Sequence, residues 1–135
     1  MIQRIQTPFL ALAALLNIGF VFTPLFEKVQ ADPALWITIL VAATLGIASL
    51  LSLYSIFLYN NRKTQMTWLK HNLGAQVAGV GSSLGAFFSL GGIGTYLWDE
   101  ALSLGVIMIA MLLQYFALRF VKKDDELVRS MDRIR

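Results

Sequence analysis

The sequence contains no cysteine. This absence excludes disulfide bonds, thiolate nucleophiles, thiolate metal sites and cysteine palmitoylation. Histidine occurs once, at His71, with no neighbouring cysteine or carboxylate cluster to complete a metal site and no identifiable nucleophile to activate. We therefore expect no catalytic residues, no metal and no cofactor, and we predict that the protein is not an enzyme.

Charged residues are also scarce. They make up 14% of the 135 residues, whereas soluble domains average about 25%. Hydrophobic residues reach 57%, and the mean hydropathy is +0.66. A chain of this length and composition has too few polar residues to cover the surface of a soluble globular domain, which favours a membrane protein.

Four long apolar runs account for this composition, and each is long enough to cross about 30 Å of hydrocarbon as a helix. None contains Asp, Glu or Lys, and the only Arg is Arg119, close to the end of the last run. We predict an all-α integral membrane protein: an up-down-up-down four-helix bundle over residues 1–121, followed by an amphipathic cytoplasmic helix over residues 122–135. The predicted spans are residues 8–26, 34–59, 73–98 and 101–121.

The first run has a second interpretation as a secretory signal peptide, because Arg4 precedes it and small residues near Ala31 follow it. The apolar stretch is longer than the roughly 7–15 residues of a signal-peptide core, which favours a true span.

Basic residues are distributed unequally between the two ends of the predicted spans. Lys28 stands alone on one side. The other side has ten: Arg4, Arg62, Lys63, Lys70, Arg119, Lys122, Lys123, Arg129, Arg133 and Arg135. Under the positive-inside rule this asymmetry predicts that both termini are cytoplasmic. Clustering beside apolar runs also argues against a nucleic-acid partner and points to membrane lipids.

Small residues recur at four-residue spacing in the third span, at Gly81, Gly85 and Ser89. Ala42 and Gly46 form a shorter stripe in the second span. Such stripes let helix backbones approach closely. They are candidates for packing within one chain, and a dimer interface is the alternative.

Three uncharged polar residues fall inside the predicted spans: Asn17, Gln76 and Gln114. Amides at membrane depth commonly form hydrogen bonds between helices, worth roughly 0.6–2 kcal/mol each. We expect that role for them, and a substrate site is the alternative. The spans offer no carboxylate or histidine for proton-coupled transport.

The C-terminal segment places Leu127, Met131 and Ile134 on one helical stripe, with Arg129 spaced to pair with the acidic residues that precede it. It is interpreted either as a helix on the inner membrane surface or as a docking helix for a cytoplasmic partner.

Three stretches resemble a family of small four-span bacterial membrane proteins known only as a domain of unknown function. They are residues 1–7 (MIQRIQT), 58–65 (LYNNRKTQ) and 122–135 (KKDDELVRSMDRIR). The tail carries the most specific likeness, with Asp125 where the family usually has Glu and Ile134 where it usually has Leu. The resemblance implies four spans and a bacterial inner-membrane location, and it brings no activity with it.

These features lead us to expect a non-enzymatic interaction or scaffold protein in the bacterial cytoplasmic membrane, with a protein partner or self-association. The alternative is a small-solute transporter or channel, in one form a dimer packed through the glycine-rich third span.

Overall fold

A computed structural model describes residues 3–31, 34–90 and 98–134, and over these residues the protein is entirely helical. The elements are α1 (Gln3–Gly19), a 3-10 turn (Phe20–Phe22), α2 (Pro24–Ala31), α3 (Leu35–Phe57), α4 (Arg62–Ser89) and α5 (Trp98–Asp132).

Three stretches are long and apolar enough to cross a membrane: Ile5–Phe22, Leu35–Phe57 and the helix Trp98–Asp132. Within the described residues α4 does not meet the same criterion, although it has 28 residues. Its polar side chains, such as Asn72 and Gln76, lower its hydropathy. Length and composition therefore support a spanning helix at three of the four predicted spans.

The first helical stretch ends earlier than predicted, at Phe22, because Pro24 interrupts it. Proline has no backbone N–H and disfavours helical geometry at the residue before it. Thr23 is accordingly extended (φ −92°, ψ 153°), and its hydroxyl donates a 2.6 Å hydrogen bond to the Phe20 carbonyl. Phe26, predicted to end the first span, instead belongs to α2 and is buried with Leu25.

The helix that contains the predicted third span, α4, begins at Arg62, well before residue 73, because Asn61 caps it. The Asn61 side-chain oxygen accepts a hydrogen bond from the Thr64 backbone N–H at 3.2 Å. α4 ends at Ser89. Residues 91–97 of the predicted third span lie outside the described residues.

The predicted tail is not a separate helix. Residues 122–132 continue α5 without interruption. No proline or glycine lies between Val106 and Arg135, so the sequence has no strong helix-breaking residue between the apolar run and the charged tail.

The four long helices pack in the cyclic order α1, α3, α4, α5, so that α1 and α4 lie diagonally opposite each other. α2 packs against α5 and α3 at one end. The larger core cluster lies towards that end and includes Phe20, Val41 and Ile107, while a smaller one around Leu10 and Leu69 lies towards the other.

Large apolar side chains cover much of the outside of the helices. Phe22 is 86% exposed, Phe57 76% and Leu102 69%. The interior, by contrast, contains many small or polar residues, among them Ala48, Ser52 and Ser83. Soluble monomers rarely expose so much contiguous apolar surface, whereas lipid-facing helices do. The distribution is that of a membrane protein.

Candidate functional site

A network of buried amides lies at the centre of the molecule, with Gln76 of α4 as its hub. Its Oε1 accepts hydrogen bonds from Asn17 Nδ2 at 2.7 Å and from Gln114 Nε2 at 3.1 Å. Its Nε2 donates to Asn17 Oδ1 at 3.0 Å and to the Ile107 carbonyl at 3.1 Å. A glutamine amide has two donors and two acceptor positions, so the hydrogen-bonding capacity of Gln76 is fully used.

A second branch of this network meets at Ser52 of α3. The Ser52 hydroxyl oxygen accepts hydrogen bonds from Asn72 Nδ2 at 2.8 Å and from Gln114 Nε2 at 3.2 Å. Asn72 Oδ1 and Gln114 Oε1 have no hydrogen-bond partner among the described residues, although both are buried. This branch therefore has two unused acceptor oxygens, whereas every donor and acceptor of Gln76 is used.

The five side chains of this amide network come from α1, α3, α4 and α5, and each is at most 2% exposed. Asn17 of α1 and Gln76 of α4 bridge the diagonal of the helical arrangement. A hydrogen bond between two buried amides needs both partners at fixed positions, so it selects one rotation and one height for each helix. The network therefore sets the register of the core.

The sequence predicted three members of this network, Asn17, Gln76 and Gln114, and the structure brings all three together. It missed Asn72 and Ser52. A signal for Asn72 exists in the spacing: the buried face of α4 carries residues at alternating intervals of three and four, and Asn72 lies on it four residues before Gln76.

An ion pair lies at the end of the core near α2, where Lys28 of α2 contacts Glu100 of α5. The Glu100 side chain is only 4% exposed, while that of Lys28 is 44% exposed. Glu100 also lies in the first turn of α5, where the helix dipole favours negative charge. The pair fixes the short helix α2 to the start of α5.

Among the described residues, the predicted small-residue stripes make no close contact with a neighbouring helix. A Cβ atom added at Gly81, Gly85 or Gly46 would have no heavy atom within 4 Å. Ala42 and Ser89 are exposed as well. The helices approach closely at a different glycine, Gly79, where an added Cβ would lie 2.5 Å from Leu45 Cδ2.

The predicted docking stripe of the tail is accessible. Leu127 is 43% exposed, Met131 64% and Ile134 87%. Arg129 pairs with Asp125 one turn earlier, at 2.9 Å. Closer to the bundle, Arg62 of α4 forms a 3.0 Å ion pair with Asp124 of α5, and both side chains are largely shielded from solvent.

The described residues contain no group of three or more histidine, aspartate or glutamate side chains arranged to hold a metal ion.

A model for the family described as Domain of unknown function (DUF4293) matches residues 34–134. The chain belongs to this family. The match covers α3, α4 and α5, and therefore includes Ser52, Asn72, Gln76 and Gln114 of the amide network. No curated protein and no solved structure gives a significant match.

Proposed function

We propose that α4 is a fourth membrane span and that the protein is an up-down-up-down four-helix bundle. α4 packs against both α3 and α5, and its buried face carries Asn72 and Gln76. Both side chains face inward and form hydrogen bonds inside the protein, so they do not oppose insertion as lipid-facing amides would. A membrane span whose polar residues face the protein interior has a low mean hydropathy, although its lipid-facing side is apolar.

Both termini are placed on the cytoplasmic side of the bacterial inner membrane, with α2 outside. This orientation follows from the basic residues, since ten of eleven lie on one side. The family resemblance supplies the bacterial location.

The absence of cysteine makes this topology directly measurable. Single-cysteine variants Gln30→Cys, Asn60→Cys and Ser130→Cys change exposed positions only. A membrane-impermeant maleimide applied to intact cells is expected to label position 30 alone, and to label all three positions after lysis. Labelling of position 130 in intact cells would refute the orientation.

Within that membrane we propose a non-enzymatic interaction or scaffold role, in which α5 presents the tail to a cytoplasmic partner. The observation that carries this is the length of α5. Its 35 residues extend about 52 Å, against about 30 Å of hydrocarbon. The helix therefore reaches about 20 Å beyond the apolar core of the bilayer.

The projecting segment has the features of a docking helix. The ion pair between Arg62 and Asp124 ties its base to α4, which fixes its direction. Leu127 and Met131 remain exposed on one side of it. An apolar stripe on a helix is recognised by inserting residues at three- and four-residue spacing into a partner's groove. A preordered helix also avoids the entropy cost of folding on binding.

Affinity purification from membranes tests this role. A specific partner should be recovered with the intact chain and with Ser130→Ala, which changes an exposed hydroxyl bonded to the Leu127 carbonyl. It should be lost with the double variant Leu127→Ser, Met131→Ser. The same proteins recovered from all three forms would defeat the proposed role of the tail.

A second candidate function is a small-solute transporter or channel. The observation in its favour is a pair of buried acceptors that have no hydrogen-bond partner in the part of the chain that the structure describes, Asn72 Oδ1 and Gln114 Oε1. Flux of small polar solutes into proteoliposomes that is abolished by Gln114→Leu and kept by Ser89→Ala would support it. In its dimeric form the outward-facing Gly81 and Gly85 would meet a second copy, and the double variant Gly81→Leu, Gly85→Leu would then be monomeric.

A further inference from the structure

A groove of about 620 Å³ lies between α4 and α5 at their proposed cytoplasmic ends. Its apolar lining residues are Met66, Tyr115 and Leu118. Its charged lining residues are the basic Lys70, Arg119, Lys122 and Arg129 and the acidic Asp125 and Glu126, so the lining carries a net positive charge. We propose that this groove binds the phosphate headgroup of an anionic phospholipid from the inner leaflet.

The height of the groove fits a headgroup. The ion pair between Arg62 and Asp124 sets the antiparallel register of the two helices. Eight residues from this pair along each helix, Lys70 of α4 is level with Phe116 of α5, and Arg119 lies within about one helical turn of that level. These positions fall in the last two turns of the apolar run of α5, where the hydrocarbon meets the headgroups.

The charges of the groove are only partly neutralised by the protein. Asp125 is engaged by Arg129 at 2.9 Å, and Glu126 lies 3.9 Å from Lys122. Among the described residues neither Lys70 nor Arg119 has a carboxylate partner. The Arg119 guanidinium lies 6.0 Å from the Tyr115 ring centroid, which positions it without neutralising its charge.

The apolar surface above the groove distinguishes a lipid from an acidic peptide. Leu112 is 51% exposed and Tyr115 and Phe116 are each 43% exposed, all on the membrane side of Arg119. An acyl chain attached to the bound phosphate would lie along these side chains, whereas a soluble acidic segment has nothing to place there. Basic pockets between helices on the cytoplasmic side commonly bind anionic lipids in this way.

Lipid titration of the full-length chain in neutral detergent, followed by native mass spectrometry, tests the site. Phosphatidylglycerol is the probe and phosphatidylcholine the neutral comparison. Since each basic residue near an anionic surface contributes about a fivefold change in affinity, Lys70→Gln with Arg119→Gln should weaken phosphatidylglycerol binding at least about tenfold. The charge-conserving pair Lys70→Arg with Arg119→Lys should retain it.

A matched control separates the groove from general charge attraction. Lys63→Gln with Arg133→Gln removes the same net charge at exposed positions outside the groove and should change binding by less than about twofold. Circular dichroism would verify that every variant is as helical as the parent. Equal losses in both glutamine pairs, equal binding of the two lipids, or displacement of the lipid by excess inorganic phosphate would overturn the site.

This site depends on the cytoplasmic placement of α4 and α5 but not on a partner for the tail. The cysteine-labelling experiment tests the placement separately, so failure of the lipid site and failure of the topology give different results.

Discussion

Gly79 is the position at which a single added methyl group should have the clearest effect. In the structure its Cβ would lie 2.5 Å from Leu45 Cδ2, 3.0 Å from Leu45 Cγ and 3.3 Å from Thr44 Oγ1. Leu45 is only 3% exposed, so it cannot move aside without displacing other core residues. Gly79→Ala therefore has to push α3 and α4 apart or force Leu45 out of its preferred rotamer.

The expected magnitude follows from two opposing contributions. Overpacking of a well-packed core destabilises by about 1–3 kcal/mol. Alanine is a better helix former than glycine by up to about 1 kcal/mol, which offsets part of that loss. Since three contacts are too short at once, we expect Gly79→Ala to lower the free energy of unfolding by about 1–2 kcal/mol.

Gly81→Ala is the matched control, because it lies on the same helix and its Cβ would meet nothing within 4 Å. It keeps the gain in helix propensity without the clash, so its stability should be equal to or slightly above that of the parent. Denaturant titration in mixed micelles, followed by tryptophan fluorescence, would give the unfolding free energy of each variant.

A double-mutant cycle with Leu45→Ala identifies the clashing atoms. Removing Leu45 Cγ and Cδ2 makes room for the methyl group of Gly79→Ala, so the double variant should be more stable than the sum of the single effects predicts, by about 1 kcal/mol or more. Additive effects, or a Gly79→Ala protein as stable as Gly81→Ala, would refute the close approach of α3 and α4 at this position.

Three further predictions concern polar contacts. Gln76→Leu removes three side-chain hydrogen bonds between helices and one to a carbonyl, and should destabilise by about 2 kcal/mol in the same titration. Lys28→Gln leaves the Glu100 carboxylate without its cation and should lower the free energy of unfolding, by less than Gln76→Leu does because Lys28 itself is partly exposed. Asn61→Ala removes the cap on the Thr64 N–H and should cost about 1 kcal/mol, whereas Asn61→Ser should restore most of it.

Each of these predictions has a result that contradicts it. A Gln76→Leu protein as stable as the parent would mean that the network contributes nothing beyond packing. If Lys28→Gln and Glu100→Gln were simply additive in a double variant, the two side chains would not form the pair that the structure shows. Equal stability of Asn61→Ala and Asn61→Ser would exclude a capping role.

The polar residues show how far sequence can lead. Asn17, Gln76 and Gln114 stand out because an amide in an apolar run requires a partner. Ser52 does not, because serine can satisfy its hydroxyl on its own helix, as Ser49 and Ser55 do here. Whether a given serine bonds within its helix or across to another depends on which face the neighbouring helix covers.

Glycine was less informative for the same reason. Gly79 and Gly81 are two residues apart on one helix, and the spacing of the glycines alone does not tell which of them faces a neighbouring helix. The four-residue spacing drew attention to Gly81 and Gly85, which face outward, and away from Gly79, which lies against Leu45. Spacing identifies faces of a helix, but it does not tell which face meets a neighbour.

The sequence by itself indicated two things: a lipid environment for the chain and a helical backbone. Long apolar runs without ionised groups favour lipid, and a backbone in lipid has to form helices because no water is available to its polar groups. Only the tertiary structure decided which helices touch and that Asn17 reaches Gln76 across the diagonal. Those features depend on helix rotation and register, which are fixed by contacts between residues far apart in the chain rather than by local composition.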